Sequence, residues 1–243
     1  VVTRRNGVPG PPASNHFKVF HYGATRIGYR RVHTNYMAIN TTLRHQDSNW
    51  KNWYIVRDTE GTGRWEMWHW DLNWIFTTDA EDHKGEFLSP AGSNRLLSAL
   101  MADPEIKQMF YRRLRTLADR FLVPGGYEAS WDARTQPYAP DWALDFARWG
   151  GRNFALGRVK LLQGLADRRA VIANNTGPGK PVPASQSADP KIVINEIQYQ
   201  PGPSGSEFVE LVNPSSTESV DISGWTIEGV ELTIQPGTVL LPG

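Results

Sequence analysis

No cysteine occurs among the 243 residues. Disulfides, a thiol nucleophile and a Cys-ligated zinc site are therefore excluded, although the compartment stays open, because exported proteins can also lack the residue. No apolar run approaches the roughly 18 residues that read as a membrane helix, so no membrane span is expected. A charge surplus is missing too. The net charge of +1 offers no general attraction for a phosphate backbone, and nucleic acid is not an expected partner. The chain begins Val1-Val2-Thr3 without a charged-then-apolar leader and stops at Pro242-Gly243 inside a strand-like pattern. It reads as a fragment cut at both ends. Hydrophobic residues, in contrast, are plentiful at 40%, with 11% aromatic, which supports a packed core and argues against wholesale disorder. The length suits one large domain or two modest ones.

Balanced charge conceals an asymmetry. Residues 191–243 hold one basic residue, Lys191, against seven acids: Glu196, Glu207, Glu210, Glu218, Asp221, Glu228 and Glu231. That tail carries about −6 and the remainder about +7. Seven basic residues (Arg4, Arg5, Lys18, Arg26, Arg30, Arg31 and Arg44) precede the first acid, Asp47. A basic arm for phosphates, a solvated segment and a locally shifted reading frame all fit this bias.

Residues 1–33 are rich in Gly, Pro and Arg and read as mostly irregular. Thr34 to Leu43 has helical spacing, with Thr34 able to cap it. Trp53–Arg57 and Arg64–Trp70 read as strands of a hairpin, joined by the glycine-bearing loop 58–63. After a polar loop over 77–92, Ser93 is placed to cap a helix carrying Leu96, Leu97, Leu100 and Met101. Asp103-Pro104-Glu105 starts another, with proline at its first position. Arg112, Arg113 and Arg115 form the polar face of that second helix, and Pro124-Gly125-Gly126 stops it. Further helices are expected over Pro140–Trp149 and Asn153–Val171, the latter weakened by Gly157 and Gly164. Residues 173–190 have the composition of a linker. Beyond them, strand-like runs recur every 8–12 residues, as in a β-sandwich.

The chemistry concentrates between residues 44 and 73. With the hairpin centred near Glu60-Gly61, Arg57 faces Arg64 and Asn52 faces about His69. Asp47, Asn52 and Asp71 then meet at one end of one ribbon, because strand rise is about 3.3 Å per residue. Three oxygen-bearing side chains suit a hard divalent cation such as Mg²⁺. Asp-x4-Asn followed by a strand-end Asp is also the order in which protein kinases place a hydroxyl-orienting Asp and two metal ligands. Spacing alone equally allows a turn-capping Asp47, a loop Asn52 and a strand-ending Asp71.

The segment NWYIVRDTEGTGRWEMWHWDLNWIF, residues 52–76, resembles the spore-coat protein H (CotH) kinase family, which shows an Asn-aromatic-aromatic strand, an Arg-Asp/Glu-x-Gly turn and an aromatic-Trp-Asp-x-Asp/Asn ending. Asp103-Pro104-Glu105 and the run RRLRTLADRFL at 112–122 are similar to that family's helical part. The resemblance covers about residues 34–172 and is specific over 44–76. It implies an atypical protein-kinase-like fold that transfers phosphate from ATP to protein Ser/Thr with Mg²⁺ or Mn²⁺. By position, Asp47 matches the catalytic Asp, Asn52 a metal-binding Asn and Asp71 the metal Asp that bridges the ATP phosphates. Asn73 stands where many members have a second Asp, so its place as a metal ligand rests on an amide. His69 stands where proline is common and reads as a satisfied hairpin histidine; His45 reads as a brace for the loop. Only 46 residues precede Asp47, and Lys18 is their sole lysine. The resemblance therefore implies the C-terminal lobe alone, expected to bind ATP poorly by itself.

Six of the ten tryptophans lie between residues 50 and 74. Such a platform can stack on sugars, with Glu66 and Asp71 as a glycosidase carboxylate pair. Strand alternation sends those two side chains to opposite faces, so aromatics packing the ribbon against helices are the expectation. In residues 194–229, Ile194-Asn-Glu-Ile197, then Glu207-Phe-Val-Glu-Leu-x-Asn213, then Asp221-Ile-Ser-Gly-Trp225 resembles the lamin tail domain, an immunoglobulin-like sandwich. Ile222, Trp225 and Ile227 read as its core, Gly224 as a turn, and its acids as a solvated face. The resemblance implies a non-catalytic interaction or spacer module, expected to bind other surface proteins.

The expected fold class is α+β. The C-terminal lobe of an atypical protein-kinase-like fold (1–172, with 1–33 poorly determined), a β-hairpin plus helices, leads through a linker (173–190) to a partial immunoglobulin-like β-sandwich (191–243). The expected function is that of a bacterial, extracellular or cell-surface CotH-like protein kinase with ATP and a protein Ser/Thr substrate as partners. The alternative is a non-catalytic structural or adhesive surface protein that retains the scaffold.

Overall fold

Two long helices cross at the centre of the molecule, and the rest is arranged about them. The computed structural model describes residues 17–20, 29–61, 63, 65–76, 86–90, 94–151, 153–202, 205 and 207–243. Helix α1 (Tyr29–Leu43) packs against α3 (Pro104–Phe121). It begins five residues before Thr34, which is buried inside the helix and caps nothing. The reason is that α1 is enclosed on most sides: Tyr36, Met37 and Ala38 are buried together with Thr34, Asn40, Thr41 and Thr42. Its polar residues therefore mask the apolar period from which a helix start is read. Thr42 returns its hydroxyl to the Ala38 carbonyl at 2.7 Å.

The other helices follow local signals closely. Helix α2 (Arg95–Ala102) is capped by Asn94, whose Oδ1 accepts the amides of Leu96 and Leu97; Ser93 lies outside the described residues. Asp103 caps α3 in the same way, accepting from Glu105 and Ile106, with Pro104 at the first helical position. Ile106, Phe110, Leu114 and Leu117 of α3 join Met37, Leu97, Leu100, Phe76 and Leu165 in the main core. Helix α4 (Gly126–Thr135) was not expected, because YEASWDART has no clear apolar stripe and α4 buries no residue. Helices α5 (Ala139–Trp149) and α6 (Phe154–Asn174) complete the set. Gly164 is what lets α6 close on the core. A Cβ there would lie 1.8 Å from the Phe76 carbonyl oxygen.

The hairpin β2 (Trp53–Arg57) and β3 (Trp65–His69) pairs Arg57 with Trp65 and Trp53 with His69. This is one residue out from the register expected from the sequence, because the turn is one residue longer. Trp53 and Met67 pack against the main core. The expected packing of aromatics on both faces is not observed: Trp50, Tyr54, Trp65, Trp68 and Trp70 are all exposed, Trp70 reaching 61%.

Residues 191–243 form β4 (Val193–Gln198), β5 (Phe208–Val212), β6 (Val220–Asp221), β7 (Thr226–Ile227), β8 (Leu232–Thr233) and β9 (Val239–Leu240). Antiparallel pairs β4–β5, β6–β9 and β7–β8 surround Leu211, Val220, Ile222, Ile234 and Leu240. These are strands of an immunoglobulin-like sandwich, and the fold class is α+β. Gly224 does adopt a left-handed turn, φ 79°. Trp225, expected in the core, is 36% exposed. Residues Phe17–Phe20, expected to be irregular, form β1 on the other edge of β5. Of the seven early basic residues, Arg4, Arg5 and Arg26 lie outside the described residues, as does the side chain of Lys18. Arg30 pairs with Glu105, and Arg31 donates to the Pro236 carbonyl at 3.1 Å.

The two halves share a built interface. Arg113 of α3 forms a buried ion pair with Asp221 at 3.0 Å, and its Nε donates to Asn35 of α1. Gln186 brackets Asp221 from both sides, accepting its amide at 2.7 Å and donating to its carbonyl at 3.2 Å. Met109 packs with Val239 and Leu241. The basic face expected on α3 is thus largely an internal one: Arg112 and Arg113 are buried, and Arg112 donates to the Ala184 carbonyl. The linker composition of 173–190 also misleads. Val182 is fully buried in the main core, bridged to Thr176, and Arg115 holds Ser185. Nor are all the acids solvated, since Asp221 is engaged as above and buried Glu210 accepts from Asn195 Nδ2.

Candidate functional site

The site grows from the C-terminal end of α1. Arg44 takes a left-handed conformation, φ 56°, which ends the helix. His45 then leads into a buried 3-10 turn, Gln46–Asn49. The turn carries Asp47 with its backbone carbonyl accepting the amides of Trp50 and Lys51. Its carboxylate oxygen Oδ2 accepts from Asn52 Nδ2 at 3.3 Å and sits 3.2 Å from Lys51 Nζ.

Asn52 is the hinge into β2. It is left-handed, φ 62°, a conformation Asn tolerates better than most residues. Its carbonyl accepts the amide of Trp70 at 2.9 Å, extending the hairpin by one rung. Asp71 follows directly and is also left-handed, φ 50° and ψ 67°, at the head of a second 3-10 turn, Leu72–Trp74. Two non-glycine residues strained in this way lie on adjoining rungs, and such strain gathers where a site over-determines the backbone. The second turn is returned to α1 by the amide of Phe76, which donates to the Leu43 carbonyl at 2.8 Å.

Asp47 and Asn52 are thus in contact, and Asp71 stands one residue beyond the rung that Asn52 makes with Trp70. Asp71 and Asn73 are exposed, and neither makes a side-chain hydrogen bond among the described residues. Asn73 makes no hydrogen bond to Asp47 or Asn52 among the described residues. No cluster of three His, Asp or Glu side chains occurs among the described residues. The oxygen set on offer is one exposed carboxylate, Asp71, with the Asn52 amide oxygen, which the NH₂ contact to Asp47 directs away from Asp47. This fits Mg²⁺ or Mn²⁺ held by one or two protein oxygens together with substrate phosphates, and it does not fit an all-protein cage.

Two residues behind the site, Asn40 and Tyr36, carry no motif. Asn40, fully buried, receives the Nδ1 atoms of His45 and His69 on its Oδ1 at 3.0 and 3.1 Å. Tyr36 stacks on His69, ring centroids 4.7 Å apart. Burial, with His45 nearby, lowers the His69 pKa from 6.5 to about 4, so the ring is neutral at physiological pH. Both histidines brace the site from within. Lys51 was overlooked as well, although a cation one residue before the expected metal Asn is visible in the sequence.

A family model described as CotH kinase protein matches residues 32–173, more than half of the chain. The chain belongs to the CotH kinase family. A second model, Lamin Tail Domain, matches residues 185–243. The CotH match contains α1 from Val32 onward, the hairpin and every residue of the site just described; the Lamin Tail Domain match contains β4 to β9. Comparison with curated proteins and with solved structures gives no match. No helix among the described residues is long and apolar enough to cross a membrane.

Proposed function

We propose that this CotH domain is the catalytic-loop and metal-binding part of a protein kinase that moves the terminal phosphoryl group of ATP to a protein Ser or Thr hydroxyl. The observation that carries the reading is the junction of Asp47, Asn52 and Asp71: a buried carboxylate in contact with an amide, beside an exposed carboxylate held on a strained backbone. Asp47 orients the acceptor hydroxyl and takes its proton as the oxygen bonds to phosphorus and the bond to the departing ADP breaks. Asn52 Oδ1 and Asp71, with Asn73 a further candidate, would hold Mg²⁺ or Mn²⁺. The metal supplies charge neutralisation at the phosphates. Lys51, with an exposed ammonium 3.2 Å from the Asp47 carboxylate, can meet phosphate oxygens.

The lamin tail module then serves as an interaction module, and the protein works outside the cell or at its surface. Transfer would need, besides these residues, an ATP-binding lobe. The test is phosphate transfer from labelled ATP with Mg²⁺ or Mn²⁺, using a chain extended upstream. Transfer lost in both Asp47→Asn and Asp71→Ala, with folding intact, is the expected outcome. Retained transfer in Asp71→Ala removes that residue from the site.

A second reading, a non-catalytic adhesive surface protein, draws on the exposed row Trp50, Tyr54, Trp68 and Trp70. A folded, extended chain with neither transfer nor an ATP-dependent thermal shift favours it.

A further inference from the structure

We infer that Asn40 is the positioning residue of this site, a single buried amide that ties the segment bearing Asp47 to the strand end bearing Asp71. The inference rests on the kinase reading for its consequence and on geometry for its substance. Asn40 is fully buried on α1, and its amide has one orientation that satisfies every neighbour. Nδ2 donates to the Tyr36 carbonyl at 3.1 Å, which leaves Oδ1 as the acceptor for both imidazoles. Each Nδ1 therefore carries its hydrogen. A flipped amide would set its oxygen against the Tyr36 carbonyl and lose that bond.

The placement of the two histidines gives the contact its role. His45 precedes Asp47 by two residues, and His69 precedes Asp71 by two. His45 is held to Asn40 a second time through the backbone, its amide donating to the Asn40 carbonyl at 2.8 Å, and its own carbonyl accepts the Ser48 hydroxyl at 2.6 Å. His69 ends β3 opposite Trp53 and stacks on Tyr36, one turn before Asn40 on α1. The two acidic segments are 24 residues apart in sequence, and this amide is a shared anchor behind both. Groups that hold a metal site from behind commonly change its affinity by 10–100-fold when removed.

The experiment is nitrogen-resolved NMR of the imidazoles and amide hydrogen exchange on the 243-residue chain, with Mn²⁺ alone titrated and free Mn²⁺ read by electron paramagnetic resonance. Both rings are expected as the Nδ1–H tautomer. In Asn40→Ala, that preference is expected to vanish, the amides of His45 and Trp70 to exchange at least tenfold faster, and Mn²⁺ affinity to fall about tenfold, while Phe110 and Leu114 in α3 stay protected. If Asn40→Ala does not fold, His69→Phe keeps the stack on Tyr36 and deletes one bond; exchange should then quicken at Trp70 and not at His45. An Nε2–H tautomer at either ring in the unmodified chain, or unchanged exchange at Trp70 in the variants, overturns the inference. So does unchanged Mn²⁺ affinity in Asn40→Ala. Absence of Mn²⁺ binding by the unmodified chain leaves the kinase reading to the transfer assay, because the ion is expected to need substrate phosphates as well, and the tautomer and exchange data then decide on Asn40.

Discussion

Single side chains at the site owe their character to surroundings supplied by distant segments. His69 is the plainest case. Its pKa falls to about 4 in the folded protein, by burial first and by His45 second, against an ordinary 6.5. Above pH 6.5 neither the folded nor the unfolded chain binds this proton, and the residue adds no pH dependence. Between 6.5 and about 4 only the unfolded chain takes it up, so stability falls as pH falls. Below about 4 both forms titrate and the loss levels off. Thermal midpoints measured from pH 7.5 to 4 are expected to decline over that window, and less steeply in His69→Phe. An identical decline in the variant would assign the effect to other groups. From the sequence, His69 was readable as a hairpin histidine but its depressed pKa was not, since that depends on Tyr36 and His45 meeting it in space. Asn40 was hidden for a related reason. It occupies an apolar-spaced position of α1, where a polar residue looks like an imperfection in the pattern.

At the scale of the elements, capping chemistry and periodicity were good guides wherever a helix has one apolar face. Asp103-Pro104 starts α3 as expected because the cap acts within three residues and needs no tertiary partner. Helix α6 shows the limit of the same logic. Gly164 looked like a weak point in a helical pattern, whereas its missing side chain admits the Phe76 carbonyl. Gly164→Ala gains local helix propensity worth about 1 kcal/mol but places a methyl group where a backbone oxygen already sits. Either α6 or the turn after Asp71 must then move. The expected net effect is a loss of about 1–3 kcal/mol, typical of overpacking, measured by urea unfolding. An unchanged or raised midpoint would mean that the close approach is not maintained in solution.

For the whole molecule, the junction between the CotH and lamin tail modules carries the strongest consequence. Arg113 and Asp221 are 108 residues apart and form a buried ion pair, with Asn35, Gln186 and the cluster Met109, Val239 and Leu241 around it. Gly237 abuts α1 so closely that a Cβ would lie 2.5 Å from the Arg31 carbonyl oxygen and 2.6 Å from Asn35 Cβ. The two modules are expected to unfold together. Asp221→Ala strands a buried guanidinium, which costs about 3–5 kcal/mol, and this should appear in CotH-module probes as much as in lamin-tail ones. Replacing both partners, Arg113→Met with Asp221→Ala, should restore part of the loss. Two separate transitions, with only the second displaced by Asp221→Ala, would show modules that merely adjoin.

By itself the sequence determined the features that rest on neighbours along the chain: the start of α3 at Asp103-Pro104, the hairpin to within one residue, and the order of the two family segments. It also determined which oxygen-bearing residues a short ribbon could bring together, because strand rise and turn length limit their separation. Only the tertiary structure decided how those residues are held. The shared amide of Asn40, the burial of Arg112 and Arg113, the seating of Val182 from a linker-like segment and the exposure of the tryptophan row each depend on which distant surface arrives against them. Hydrophobic burial and buried hydrogen bonds act between segments far apart in sequence, and neither periodicity nor local composition encodes that partner.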